Sequence, residues 1–189
     1  TKWNYVNDCT DILLASARGG DNFQRTFMEA FVRPGEDLQN WTSRANYAAR
    51  GIVQTGPREL SLYVKHHSGY PSNHVRRYVI RPDGFVSVQA SYARGEFITK
   101  PFIFSGAKLS LNFATSAVGG LFVEIQTADE KPIEGFSHQD CRELIGDRID
   151  QTVTWKHGTD VSRLAGKPIR LRIVMKDADL YSLQFSSKK

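Results

Sequence analysis

No apolar run in this chain is longer than a strand, so no segment reads as a helix able to cross a bilayer, and no membrane partner is expected. Cysteine is almost missing. Cys9 and Cys141 are the two in the sequence, too few for a disulfide framework and too few for a structural zinc site, which takes four ligands at short spacing. They read as two free thiols, with a bridge in an oxidising compartment left open. Basic charge is in excess but not concentrated. The net charge is +5 and the isoelectric point near 9.3. Yet 13 basic and 9 acidic residues fall through Lys100, then 12 and 11 after it, with no basic run beyond Arg76-Arg77 and Lys188-Lys189. Nucleic-acid binders gather their charge on one face or segment, so no nucleic-acid partner is expected. A sustained helical period, an internal repeat and a low-complexity tract are also missing. No signal peptide is visible in a chain that opens at Thr1 without a basic stretch and an apolar h-region.

What is present is a strand period. The 189 residues are 40% hydrophobic and 24% charged, enough for one core-bearing domain with chain to spare. Residues 74–90, HVRRYVIRPDGFVSVQA, read as the organising hairpin: two alternating strands joined by a tight turn at Pro82-Asp83-Gly84, with Gly84 free to take a positive φ. In 59–65 Leu60, Leu62 and Val64 alternate with Ser61, Tyr63 and Lys65. Residues 108–114 put Leu109, Leu111 and Phe113 on one face. After Gly119-Gly120, residues 121–126 do the same with Leu121, Val123 and Ile125. Residues 169–176 turn Ile169, Leu171, Ile173 and Met175 inward, and 180–185 close with Tyr181, Leu183 and Phe185 on one side. One core is expected from Leu109, Leu111, Val123, Ile125, Leu171, Ile173, Leu183 and Phe185. Many short strands punctuated by glycine and proline predict an all-β fold, an antiparallel β-sandwich or jelly roll. One helical turn is expected after Ser137-His138-Gln139-Asp140, which resembles a capping box, and another short turn over 160–166 with Gly166 at its end.

The first 35 residues differ in character. Residues 12–17 predict a strand closed by the turn cluster 18–22, and 27–32 a second strand stopped by Pro34-Gly35. Two strands alone are marginal, so this segment must lean on the adjoining domain or belong to a larger body. Residues 36–50 read as an irregular connector.

Four stretches, SARGGDNFQRTFMEAFVRPG (16–35), NYAARGIVQTGPRELSLYV (46–64), RRYVIRPDGFVSV (76–88) and LAGKPIRLRIVMKDADLYSLQF (164–185), resemble the C-terminal portion of bacterial glycoside hydrolase family 32 and its relatives. Those proteins join a five-bladed β-propeller to a β-sandwich. The resemblance implies that 1–35 is the remnant of a propeller-like module, 36–50 a connector and 51–189 a concanavalin A-like sandwich, in a secreted or periplasmic parent whose propeller is the intramolecular partner. It carries over no catalytic residue. The family's Asn-Asp-Pro, Arg-Asp-Pro and Glu-Cys motifs are missing, and Asn7-Asp8-Cys9 lacks the proline. This implies a non-catalytic domain that supports the propeller, with no cofactor.

Candidate chemistry is thin. Glycoside hydrolysis takes two carboxyl groups flanking the bond. Glu29 or Asp21, beside Arg25 and Arg33, would suit the rim of a pocket completed by an upstream propeller; the plainer reading is that they tie turns together. Asp177 and Asp179 fit a polar turn between strands better than a calcium site, which needs six or more oxygens. His66, His67 and His74 fit a solvated loop at a sheet edge, and no metal is expected. Asn40-Trp41-Thr42 matches a glycosylation acceptor pattern. Six aromatics, Trp41, Tyr47, Tyr63, Tyr70, Tyr92 and Trp155, are expected in loops or on faces away from the core. Flat aromatic faces stack on sugar rings while polar neighbours fix orientation. A carbohydrate site is therefore expected around the loop LYVKHHSGYPSNH (62–74), with Trp41, Tyr63 and Tyr70 as stacking faces and His67, Asn73 and His74 as hydrogen-bonding groups. The competing reading has these aromatics cover the interface with the propeller.

Overall fold

A computed structural model describes residues 9–41 and 45–187. It is all-β, its sheets are antiparallel, and none closes into a barrel. No helix among these residues is long and apolar enough to cross a membrane. Asn7, Asp8, Thr42 and Lys188-Lys189 lie outside the described residues. The chain divides into two compact units, Thr1–Arg81 and Pro82–Lys189, so the expected connector 36–50 and the strands up to residue 80 group with the N-terminal segment.

In the first unit β1 (Ile12–Leu13) pairs with β2 (Ala30–Val32). A four-stranded sheet is built on β5 (Glu59–His66), which carries β3 (Tyr47–Ala48) and β4 (Val53–Gly56), and pairs along its length with β6 (His74–Ile80). The alternation of β5 holds in its second half: Leu62 and Val64 are buried and His66 continues their row, while Leu60 is half-buried and Ser61, on the other face, is buried as well. Val32, Leu62 and Val64 form a small core, with Ile12, Phe31 and Tyr78 packed on it. The N-terminal strand pair thus leans on the β5–β6 face.

In the second unit two long strands, β10 (Lys108–Thr127) and β12 (Pro168–Ser186), run antiparallel for almost their full length. β11 (Asp147–Thr152) adds to β10, while β7 (Val88–Ala90), β8 (Gly95–Ile98) and β9 (Phe102–Ile103) follow one another along the free edge of β12. Leu109, Leu111, Phe113, Leu121, Val123 and Ile125 meet Ile169, Leu171, Ile173 and Met175 in one buried cluster. Phe136, Cys141, Leu144, Trp155, Val161 and Leu164, which lie outside the strands, join this cluster.

Several expectations are corrected. The organising hairpin does not form: β6 pairs with β5 in one sheet and β7 with β12 in the other. Alternation identifies a strand but not its partner, and the seven-residue segment between Ile80 and Val88 is no two-residue hairpin turn. The positive φ of that segment falls at Asp83 (57°). The turn is fixed to the second sheet, with Asn112 Nδ2 donating to Pro82 O at 2.6 Å and Ser182 Oγ to Asp83 Oδ2 at 2.6 Å.

Second, the four expected strands 108–114, 121–126, 169–176 and 180–185 are two. Asp177, at φ 43°, makes a bulge rather than a turn, and Gly119 lets the backbones close over it: a Cβ there would sit 2.3 Å from Asp177 O. Each bulge shifts the inward phase by one residue. Ala178 and Leu180, rather than Tyr181, therefore follow Met175 into the core. Past the second register shift Leu183 pairs with Leu111 but stays 36% exposed, and Phe185 packs against the cluster half-buried. Third, Trp155 is core, 2% exposed, with its indole N–H donating to Val123 O at 2.9 Å. The 137–140 stretch is a turn closed by Asp140 on the Ser137 hydroxyl rather than a helix start, while Ser162–Leu164 forms the short 3-10 turn expected before Gly166.

Candidate functional site

The expected binding loop lies at one end of the β5–β6 pair, where the inward row Leu62, Val64 runs out into His66. A buried imidazole needs hydrogen-bond partners, and it has two. Asn40 Oδ1 lies 3.0 Å from His66 Nδ1, and the Tyr78 hydroxyl lies 3.0 Å from Nε2. Asn40 Nδ2 is committed as a donor to Pro34 O at 3.1 Å, so its oxygen must accept, which puts the His66 proton on Nδ1 and leaves Nε2 to accept from Tyr78. The His66 ring also stacks against His74 and Tyr78, with centroids 5.5 and 5.8 Å away. Burial, then the charge of Arg76, pushes its pKa down, which favours the neutral ring.

His67 turns the chain out of the strand at φ 52°. Its backbone N–H donates to Asn40 Oδ1 at 3.2 Å, Nε2 meets Asp37 Oδ2 at 2.7 Å, and Nδ1 meets Ser72 Oγ at 3.0 Å. Ser72 Oγ in turn donates to Gln39 Oε1 at 2.7 Å. Asp37 also caps the 3-10 turn Leu38–Asn40 by accepting from Gln39 N, and that bond, with His67 second, holds its carboxyl below the usual carboxylate range. Two successive turns, Tyr70 N to His67 O and Asn73 N to Tyr70 O, shape the loop, and His74 Nδ1 donates to Ser72 O at 2.9 Å.

The six expected residues are thus divided. His67 and His74 come together, with ring centroids 4.7 Å apart, and Tyr70 and Asn73 stand exposed on the same loop. Trp41 follows the capped turn, half-exposed, its Nε1 donating to Gly35 O at 2.8 Å. Tyr63 is not part of this cluster. Strand parity turns it to the opposite sheet face, where it pairs across from Arg77. His67 is a brace as much as a ligand group, since both ring nitrogens are engaged. Asp37, His67 and Ser72 lie in the order of a serine-hydrolase relay, but the serine hydroxyl donates to Gln39, so the chain of bonds ties loop to turn. Asn40 is 1% exposed and bonded through both ends of its amide, which rules out glycosylation of the folded chain at that asparagine. Asp37, Asn40, His66, Ser72 and Tyr78 are members of this network that the residue pattern did not single out as binding groups. Only His66 had a signal, its phase on β5.

Elsewhere, Asp21 and Glu29 are exposed, and neither lines the cleft of about 510 Å³ formed by Ser16, Arg18, Asn22 and Gln24 in the same segment. Asp179 accepts from Ser87 Oγ at 2.7 Å. Both cysteines are free thiols. Among the described residues no group of three or more His, Cys, Asp or Glu is placed to hold a metal ion. Comparison with known proteins gives no match to any family model, curated protein or solved structure, and so no link to glycoside hydrolase family 32.

Proposed function

We propose that this chain is a non-catalytic, carbohydrate-binding and supporting module of a larger, secreted or periplasmic glycoside-hydrolase-like protein. The observation that carries the binding role is the loop 67–73. Its exposed Tyr70 and Asn73 are held in place by a bonded network beneath them, an arrangement that lowers the ordering cost of gripping a ligand. Tyr70 supplies a ring face, with Asn73 and the His74 imidazole as hydrogen-bonding groups and Trp41 as a second aromatic. Titration with soluble oligosaccharides tests it. Saturable binding that Tyr70→Ala weakens by about 1 kcal/mol, the scale of an aromatic contact, supports the reading. No binding across a broad glycan array overturns it.

A supporting role is favoured by a different observation. Val53, Val75, Val79 and Tyr47 are all exposed on the first unit, and by strand parity they share the outer sheet face with Tyr63. A propeller-like body of the parent is the proposed partner of that face, with face-to-face packing of the two sheets as a sandwich or jelly roll part of the same proposal. Val75→Lys with Val79→Lys tests the docking, since it should leave glycan titrations unchanged while separating the module from the rest of the parent in limited proteolysis.

A further inference from the structure

The second unit carries a cleft of about 380 Å³, within the range of small-molecule sites, and three tight turns hold it open. The first ends at Phe136, whose N–H donates to Ile133 O at 2.9 Å, with Gly135 at φ 83°. The second is the 155–158 turn, where Trp155 and Gly158 exchange two backbone hydrogen bonds of 2.9 Å and project His157 from the tip. The third is the 3-10 turn Ser162–Leu164, with Asp160 Oδ1 accepting from Ser162 N at 2.9 Å. Beneath them Phe136 and Trp155 meet edge to face at 5.2 Å. The Arg163 guanidinium lies 4.8 Å over the Phe136 ring, and its Nη2 donates to Glu134 O. This arginine is fixed on two sides before any ligand arrives.

The polar groups that line the cleft are of mixed kind. Arg163 offers donors, the Glu134 and Asp160 carboxylates accept, and the His157 imidazole can do either. The Glu134 carboxylate and the His157 ring have no partner among the described residues. Gly135 bears on this space directly: a Cβ there would point between Arg163 Nη2 and His157 Cδ2, 3.4 Å from each. A side chain at 135 would therefore extend between the Arg163 and His157 side chains as well as strain the turn.

From this arrangement we infer a second ligand site, for a neutral polyhydroxylated ring, a sugar with vicinal hydroxyls. Each hydroxyl both donates and accepts, so adjacent hydroxyls satisfy a guanidinium and a carboxylate together. An anionic ligand meets two carboxylates and a cationic one meets Arg163. The inference rests on the carbohydrate-binding reading above but places recognition in a different unit from Tyr70.

The test is titration of the full chain, followed by amide and indole N–H shifts in NMR, with neutral methyl glycosides as probes and glucuronate, glucosamine and glycerol as controls. The expected result is saturable binding of at least one glycoside, weakened tenfold or more by Arg163→Met, which removes the guanidinium but keeps an unbranched side chain, and by Gly135→Val, with Tyr70→Ala leaving these shifts unchanged. If Gly135→Val fails to fold, Arg163→Met with His157→Ala carries the test. Binding lost in Tyr70→Ala but kept in Arg163→Met overturns the cleft site and leaves the loop reading standing. Glucuronate or glucosamine bound more tightly than every neutral glycoside at the cleft also overturns it. Failure of all neutral glycosides up to about 50 mM, well above a weak millimolar Kd, removes both sites.

Discussion

The two units are held by different forces. In the second, a large apolar cluster fills one face of the β10–β12 ribbon, and the side chains at its centre, Leu109, Val123, Leu171 and Ile173, are fully buried. In the first, the core comprises Val32, Leu62 and Val64, and the buried space beside it is taken by Asn40, Asn46, His66 and His67 bonded to one another and to backbone. A sheet too small to bury enough hydrocarbon leans on a polar network, and such a network tolerates loss of a member poorly. The buried polar network accordingly lies in the unit with the least apolar cover.

Substitutions in the two regions should separate these forces. The largest effect belongs to the ribbon. Leu171→Ala should cost about 2–5 kcal/mol by opening a cavity in a packed cluster, whereas Leu62→Ala, in a core that touches the surface nearby, should fall at the low end of that range. Denaturant melts followed by amide exchange in each unit would measure both, and a loss of only a few tenths of a kcal/mol for Leu171→Ala would break the comparison.

Next comes Asn40→Ala. It strips partners from His66 Nδ1, His67 N and Pro34 O and should cost about 1–3 kcal/mol, the scale of an unsatisfied buried polar group. Exchange protection should fall in β5 and β6 while the second unit is unchanged; equal loss in both units would contradict the division.

A smaller effect is expected from pH. The folded pKa of His66 is lowered, so the unfolded chain binds a proton first as pH falls below the ordinary value of 6.5. The stability contributed by neutral His66 is therefore complete above that pH and is lost progressively below it. The first unit should weaken between neutral and mildly acid pH with a slope that His66→Gln removes. A stability that rises on acidification would reverse the assignment. The smallest effect is expected at Arg77–Glu59, a largely exposed pair at 3.1 Å, where Arg77→Ala should change stability by no more than about 1 kcal/mol, measured in the same melts.

Alternation encodes some of this architecture and is silent on the rest. Period two locates β5, β10 and β12 and six of the eight expected core residues, all but Leu183 and Phe185, because a half-buried strand writes its buried face into every second residue. It does not reveal that β6 and β7 part company, since partner choice is not local. Nor does it foresee the two register shifts of β12: the one at Asp177 moves the inward phase onto Ala178 and Leu180, and the one at Tyr181 moves it again beyond them. Tyr63 is legible yet misassigned to the loop cluster, as its own parity already sets it opposite His66. Asn40 leaves no trace. Inside Asn40-Trp41-Thr42 it looks like a surface asparagine, and only the fold around Pro34 and His66 makes it a buried one.

The β10–β12 ribbon also orders events in time. Its nearest register pair, Thr127 with Ile169, is 169 − 127 = 42 residues apart, and its farthest, Lys108 with Ser186, is 186 − 108 = 78. Loop closure grows only slowly with length, about 0.6 kcal/mol per doubling, so the ribbon is cheapest to close at the Thr127 end and to zip from there toward Lys108. Because β7, β8 and β9 pair with β12, they have no sheet to join until the last of these strands has left the ribosome. Every strand pairing of the first unit, by contrast, is complete by Ile80. Synthesis thus delivers the braced histidine loop early and holds the large core open until β12 arrives.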